Sequence, residues 1–230
     1  MGGRFVSIRA PDGALFQAYI AGDVSPSRPG LMIFSPIFGI DEDMKAQAQK
    51  WAARGFLAAI PDYFFRVRPG PLDRAEPART LAMERWQALD VDRAVTDMQG
   101  LEAYLRSSSS CNGKIAALGF CAGGELAFLA GVRLGVKAIA AFHGTHIDRH
   151  LNEASQLAAK ATLHYGDNDP LVPIEQVEAI RARFTRDPRV DVHVYPGAGH
   201  GFSFAGRPSY HEVAATASDR CAERLFDELK

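Results

Sequence analysis

The sequence predicts an α/β protein with a mostly parallel central sheet covered by helices on both faces. Three observations lead there. Short apolar runs alternate with stretches of helical spacing through most of the chain, the pattern of strand–helix–strand crossovers. Several of those runs, such as Leu31–Phe34 and Phe56–Ile60, are apolar throughout, as strands covered on both faces are. A chain of 230 residues with 47% hydrophobic and 23% charged residues is long and apolar enough to bury a sheet between two helical layers, and residues 1–230 are read as one domain.

Phe5–Arg9 and Leu15–Ile20 read as an opening pair of strands joined by a turn at Pro11-Asp12-Gly13. A polar loop is expected at Ser25–Gly30, followed by the strand Leu31–Phe34. Asp43–Arg54 has helical spacing and stops at Gly55, a residue that ends helices. The strand Phe56–Ile60 closes at Pro61-Asp62-Tyr63, and the Pro- and Arg-rich stretch Arg66–Pro77 is expected to form an irregular surface loop. Leu81–Leu105 reads as one long helix, its apolar stripe formed by Trp86, Leu89, Val91, Val95, Met98 and Leu101. Further strands are expected at Lys114–Leu118, Ala138–Phe142, Ala161–His164 and Asp191–Tyr195. Helices are expected at Gly124–Leu134, Ile174–Thr185 and Tyr210–Leu229.

Composition excludes several function classes. A net charge of −1, with short basic groups such as Arg66, Arg68 and Arg74 read as solvated surface, gives no reason to expect a nucleic-acid partner. No apolar run reaches the ~18 residues a membrane span needs, and Met1-Gly-Gly-Arg4 lacks the features of a secretory leader. Gly2 makes no myristoylation signal, because the sixth residue is Val6. Three cysteines, odd in number and far apart, form no disulfide framework, so a reducing cytoplasm is the expected location.

The chemistry is concentrated in three glycine-punctuated turns. In Lys114–Leu126 a short apolar strand runs into Gly119-Phe-Cys121-Ala-Gly123-Gly124 and then into a helix-forming sequence. This is the nucleophile-elbow pattern with sulfur in place of oxygen. The turn is sharp, so its flanks must be small, and the N–H groups of the following helix favour a thiolate and an oxyanion. The N–H of Ala122, next after the nucleophile, is the expected oxyanion donor. Cys121 is otherwise a small buried hydrophobe beside a glycine turn. Cys111 and Cys221 lack this context and are read as inert.

In such a fold the acid and then the histidine follow later strands. Gly166-Asp-Asn-Asp169-Pro-Leu-Val-Pro173 supplies the acid, and Asp169 is favoured over Asp167 because it stands just before the turn opening the next helix. Gly199-His200-Gly201 supplies a loop histidine that would move the thiol proton, held in the correct tautomer by Asp169. His143, His146, Asp148 and His150 offer ligand atoms for zinc, but their spacing fits no common motif and no metal is expected. His143 is read as pocket wall and His146 and His150 as solvent-exposed, while His164, His193 and His211 carry no signal.

Together these motifs, with Ile37-Phe38-Gly39, Pro61-Asp-Tyr-Phe64 and Trp86-Gln-Ala-Leu-Asp90, resemble the dienelactone hydrolases (carboxymethylenebutenolidases) over nearly the whole chain. The resemblance implies the α/β-hydrolase fold, which the opening antiparallel pair also suits. It implies a cofactor-free enzyme opening a small lactone or ester through a cysteine acyl-enzyme. It further implies a second oxyanion N–H from Ile37, a substrate carboxylate held by Arg79, and Phe38, Met83 and Phe204 as substrate contacts.

Three positions depart from the family pattern. Pro36 stands where a Glu governs the resting cysteine, Met83 where an aromatic hydroxyl is expected, and Phe204 where a second arginine is expected. Loss of one carboxylate clamp would cost ~1.5–3 kcal/mol of charged hydrogen bonding to an anionic substrate, and the pocket should be more apolar. A thioesterase, a general carboxylesterase or an acyl transferase would use the same triad. A non-catalytic binding protein on a hydrolase scaffold is the reading from another class.

Overall fold

The structure, a computed structural model, describes residues 2–22 and 27–230. Its contacts divide the chain into two compact units, Met1–Ala116 with Lys230, and Ala117–Leu229.

In the first unit β1 (Arg4–Arg9) and β2 (Leu15–Ala21) form an antiparallel hairpin in which Arg4 pairs with Ile20 and Arg9 with Leu15. The turn predicted at Pro11-Asp-Gly13 forms: Gly13 takes φ +91°, and the Asp12 carboxylate accepts from Ala14 N at 3.1 Å. Strand β2 then pairs antiparallel with β4 (Leu57–Pro61), and β4 pairs parallel with β3 (Arg28–Phe34). The polar loop expected at Ser25–Gly30 is therefore corrected in part: Arg28–Gly30 belong to β3, since the Arg28 N–H and the apolar strand that follows extend the ladder backward. Ser25 and Pro26 lie outside the described residues.

Helix α1 (Glu42–Ala53) is capped by Asp41, whose carboxylate accepts from Met44 N at 3.0 Å. It ends at Gly55 with φ +94°, as the sequence signalled. Met44, Ala48 and Trp51 of α1 are buried, and Trp51 meets Phe56 edge to face at 5.3 Å. A large apolar side chain such as Met44 or Phe56 contributes ~1.5–3 kcal/mol by leaving water.

The long helix expected over Leu81–Leu105 is two helices, α2 (Ala78–Gln87) and α3 (Val91–Ser107). Asp90 breaks them apart. Its backbone is extended (φ −77°, ψ 99°) and its carboxylate caps α3 by accepting from Arg93 N at 2.9 Å. The segment at Arg66–Pro77 is irregular, as expected. Arg66 is not simply solvated surface, however: it makes two bonds, of 2.6 and 2.8 Å, to Asp97, which is 1% exposed.

Strand β5 (Cys111–Phe120) spans the division between the units. In the second unit β6 (Ala138–Phe142), β7 (Lys160–Gly166) and β8 (Val190–Tyr195) pair in parallel, Phe142 opposite His164 and Gly166 opposite Tyr195. Every residue of β6, all of them apolar, and all but the first of β7 are buried, with the polar Thr162 and His164 of β7 bonded to each other. Helices α4 (Ala122–Arg133), α5 (Ile174–Phe184) and α6 (Glu212–Asp227) pack on these strands. A 3₁₀ segment at Ile147–Gln156, which the sequence reading did not anticipate, packs on α4 and α5. Each unit alternates strands and helices; β1 pairs antiparallel with β2 and β2 with β4, while β3 with β4, β6 with β7 and β7 with β8 are parallel. Among the described residues no helix is long and apolar enough to cross a membrane.

Candidate active site

Cys121 stands between β5 and α4 in a left-handed conformation (φ 54°, ψ −123°) that side-chain-bearing residues rarely adopt. Three hydrogen bonds hold it there. Its N–H donates to Phe142 O at 3.1 Å, and its carbonyl accepts from Gly124 N at 2.9 Å and Thr145 N at 3.2 Å. Glycine is required on both flanks. A Cβ at Gly119 would fall 2.1 Å from Gly123 O, and one at Gly124 would fall 2.4 Å from Gly144 Cα. The turn read from Gly-x-Cys-x-Gly is thus built by close backbone approach. Helix α4 begins at Ala122, so the Ala122 N–H belongs to a first turn with no intrahelical acceptor.

Asp169 follows β7 and its side chain is fully buried. One carboxylate oxygen accepts from Leu171 N at 2.8 Å and Val172 N at 3.2 Å, and the other accepts from His200 Nδ1 at 2.8 Å. Asp167 is exposed and accepts from Gly197 N at 2.7 Å, an anchor for the loop leading to His200. Two carboxylates two residues apart therefore have separate tasks. A Cβ at Gly166 would lie 1.9 Å from Ala198 O, so this loop and the His200 loop are pressed together backbone to backbone.

His200 Nε2 is buried and has no hydrogen-bond partner of its own, while the ring interacts with the Cys121 sulfur. Burial disfavours the charged ring, but Cys121 and then Asp169 outweigh it and push the His200 pKa up to about 10. The structure therefore brings Cys121, Asp169 and His200 together. Sulfur, imidazole and carboxylate in that sequence can generate a nucleophile and move its proton.

The wall beside this group is aromatic. His143, 1% exposed, meets the His200 ring at 4.7 Å and 64° and the Phe202 ring at 5.4 Å and 81°. Phe204 is buried against Phe120 at 5.1 Å. Burial, together with the charge of His200, holds the His143 pKa well below 6.5. His143 and Phe204 are both buried among aromatic rings.

His146 and His150 are not solvent-exposed as expected. Both are half-buried against Glu125, which is 4% exposed, at 3.4 Å from His146 Nδ1 and 2.8 Å from His150 Nε2. Burial alone would raise the Glu125 pKa, but the two histidines lower it, and the His150 pKa is raised chiefly by its bond to Glu125. His164, which carried no signal, is buried with its ring nitrogens bonded to Thr162 at 2.9 Å and Tyr195 at 2.8 Å. His211 caps α6 by accepting from Ala214 N. Among the described residues no group of three or more His, Cys, Asp or Glu side chains is arranged to hold a metal ion.

In the first unit Ile37 is buried, and its carbonyl accepts two bonds, of 2.9 and 2.5 Å, from Arg85. Arg85, 1% exposed, also donates to Arg68 O and Gly70 O and covers the Phe64 ring at 4.3 Å. Burial lowers its pKa. Sequence reading missed Arg85 and Glu125, because a charged residue in a helix reads as exposed until its partners are known. Arg79 is exposed and Met83 half-buried on α2, while Phe38 is half-buried beneath the Arg74 guanidinium at 4.4 Å.

The sequence model of the dienelactone hydrolase family matches residues 16–229. The chain is 31% identical over 226 residues to the carboxymethylenebutenolidase of Pseudomonas putida, covering 97% of this chain and 94% of that one. It is 27% identical to carboxymethylenebutenolidase 1 of Cupriavidus pinatubonensis, covering 98% and 97%. Among solved structures, a dienelactone hydrolase-like promiscuous phosphotriesterase from metagenomic libraries matches with a TM-score of 0.82 and 26% identity, over 100% of this chain and 99% of that one. With this likeness the sheet and its helices are those of the α/β-hydrolase fold. The chain belongs to the dienelactone hydrolase family and is a carboxylic ester hydrolase.

Proposed function

We propose that this enzyme hydrolyses a lactone or small ester through Cys121, His200 and Asp169, by way of an acyl group carried on the cysteine. One observation supports the reading above the rest: the His200 ring is held by Asp169 at Nδ1 and also interacts with the Cys121 sulfur. The Cys121 thiolate attacks the substrate carbonyl carbon, and the resulting oxyanion is stabilised by the Ala122 N–H and the start of α4. Collapse breaks the acyl C–O bond as His200 gives its proton to the leaving oxygen. In a lactone that oxygen stays tethered to the acyl group. His200 then takes a proton from water, the hydroxide attacks the thioester, and the thiolate departs with the triad restored.

Asp169 keeps the imidazole in one tautomer and stabilises its charged form. A cysteine used in this way must stay reduced, which fits three free cysteines and a cytoplasmic location. The relatives named for carboxymethylenebutenolide favour dienelactone as substrate. The buried aromatic side chains Phe120, Phe202 and Phe204 and the neutral His143 favour a less polar ester. Hydrolysis of cis-dienelactone and p-nitrophenyl acetate, side by side, separates the two. Preference for the dienelactone supports the family substrate, with Arg79 as anion clamp. Cleavage of the acetate alone moves the assignment to apolar esters.

A further inference from the structure

We infer that His143 and Ser203 form a positioning pair that holds the His200 imidazole in line with Cys121; this inference rests on the triad reading proposed above. Three observations carry it. His143 sits directly after β6 in a left-handed conformation, φ 43°, uncommon among residues other than glycine though histidine tolerates it better than most. Its backbone is held there by a bond of 2.7 Å from His143 N to His164 O, which continues the β6–β7 ladder one residue past β6.

That backbone turn aims the ring away from the sheet edge and toward the His200 loop. There His143 Nε2 is hydrogen-bonded to Ser203 Oγ at 3.1 Å, and the ring packs edge to face on His200 at 4.7 Å. Ser203 lies three residues after His200 on the same loop, so one side chain touches both the base and the segment that carries it. Phe202, fully buried between them in sequence, meets the same ring at 5.4 Å.

The chemistry of the ring suits a positioning task and not proton transfer. It is fully enclosed, and the groups facing it are His200, Ser203, Phe120, Phe202 and Phe204. None is anionic. A charged His143 would stand beside a charged His200 with no carboxylate to offset it, so the ring stays neutral while its neighbour titrates. An imidazole placed by this tie needs no reorganisation when the sulfur attacks. Misplacement of a catalytic group by about 1 Å can cost on the order of a hundredfold in rate.

The test uses four variants of the full chain with p-nitrophenyl acetate. His143→Phe keeps an aromatic ring, a somewhat larger one, but loses the bond, and Ser203→Ala removes the same bond from the other end. Each is expected to lower kcat roughly tenfold to a hundredfold with KM nearly unchanged, and the double variant should be no worse than the poorer single one. His143→Gln, whose amide reaches the position of Nε2, should recover much of the loss. A Ser203→Ala enzyme with wild-type kcat, or single effects that multiply in the double variant, would overturn the proposal. Cys121→Ala run alongside separates the two failures. If it is dead and Ser203→Ala is unimpaired, only the positioning role falls; if Cys121→Ala still turns over, both readings fall.

Discussion

Two buried carboxylate–histidine groups lie in the second unit, and they differ in what is left over. At Asp169–His200 the carboxylate holds one ring nitrogen and the ring's remaining interaction is with the Cys121 sulfur, the arrangement the proposed proton exchange requires. At Glu125 the carboxylate is shared by His146 and His150, and His150 Nδ1 also lies 3.6 Å from Glu153, which Arg133 holds with two bonds. Each carboxylate in that second group is held by at least two basic side chains. A buried acid beside a histidine is therefore not enough to mark a reactive site; an unsatisfied ring atom facing a nucleophile is what distinguishes one.

Removing the proposed nucleophile should have the largest effect. Cys121→Ala is expected to abolish measurable turnover while thermal unfolding shifts by only a few degrees, because a small buried side chain is exchanged for a smaller one. Next in size, Asp169→Asn should lower kcat by roughly 10³–10⁴-fold by upsetting the His200 tautomer. Leu171 N and Val172 N can still bond to the remaining oxygen, so steady-state rates will fall far more than stability.

Glu125→Gln should reverse that order, with kcat within a few-fold of wild type and a stability loss of ~1–3 kcal/mol in urea unfolding. The loss should depend on pH. The folded pKa of Glu125 is depressed from 4.5, so its contribution is present above that value and disappears as pH falls through the lower folded one. The folded pKa of His150 is raised from 6.5, so its contribution is present below 6.5 and disappears as pH rises through the higher folded one. The difference between wild type and Glu125→Gln should be widest between those limits, and a gap that keeps widening toward alkaline pH would contradict the pairing.

The same contrast explains what the sequence made legible. Cys121, Asp169 and His200 stand in turns where backbones meet within the space of a missing Cβ, and Gly119, Gly124 and Gly166 record that necessity in the sequence itself. Glu125, Arg85 and Ser203 carry no such punctuation. Their roles depend on partners far along the chain, such as His146 for Glu125 and Ile37 for Arg85. Strands buried on both faces, like β6 and β7, are legible because, apart from Lys160, every residue in them is buried. The break between α2 and α3 was not, since the apolar stripe runs through Leu89 and Val91 without glycine or proline, and only the cap at Asp90 marks it.

The central claim is that the acyl group passes through Cys121. The most direct measurement is mass spectrometry of peptides from enzyme quenched in acid during turnover of p-nitrophenyl acetate. The account predicts an acetyl group on the peptide containing Cys121, absent from Cys121→Ala. Acetylation of another residue on the path to product, with Cys121 unmodified, would contradict it.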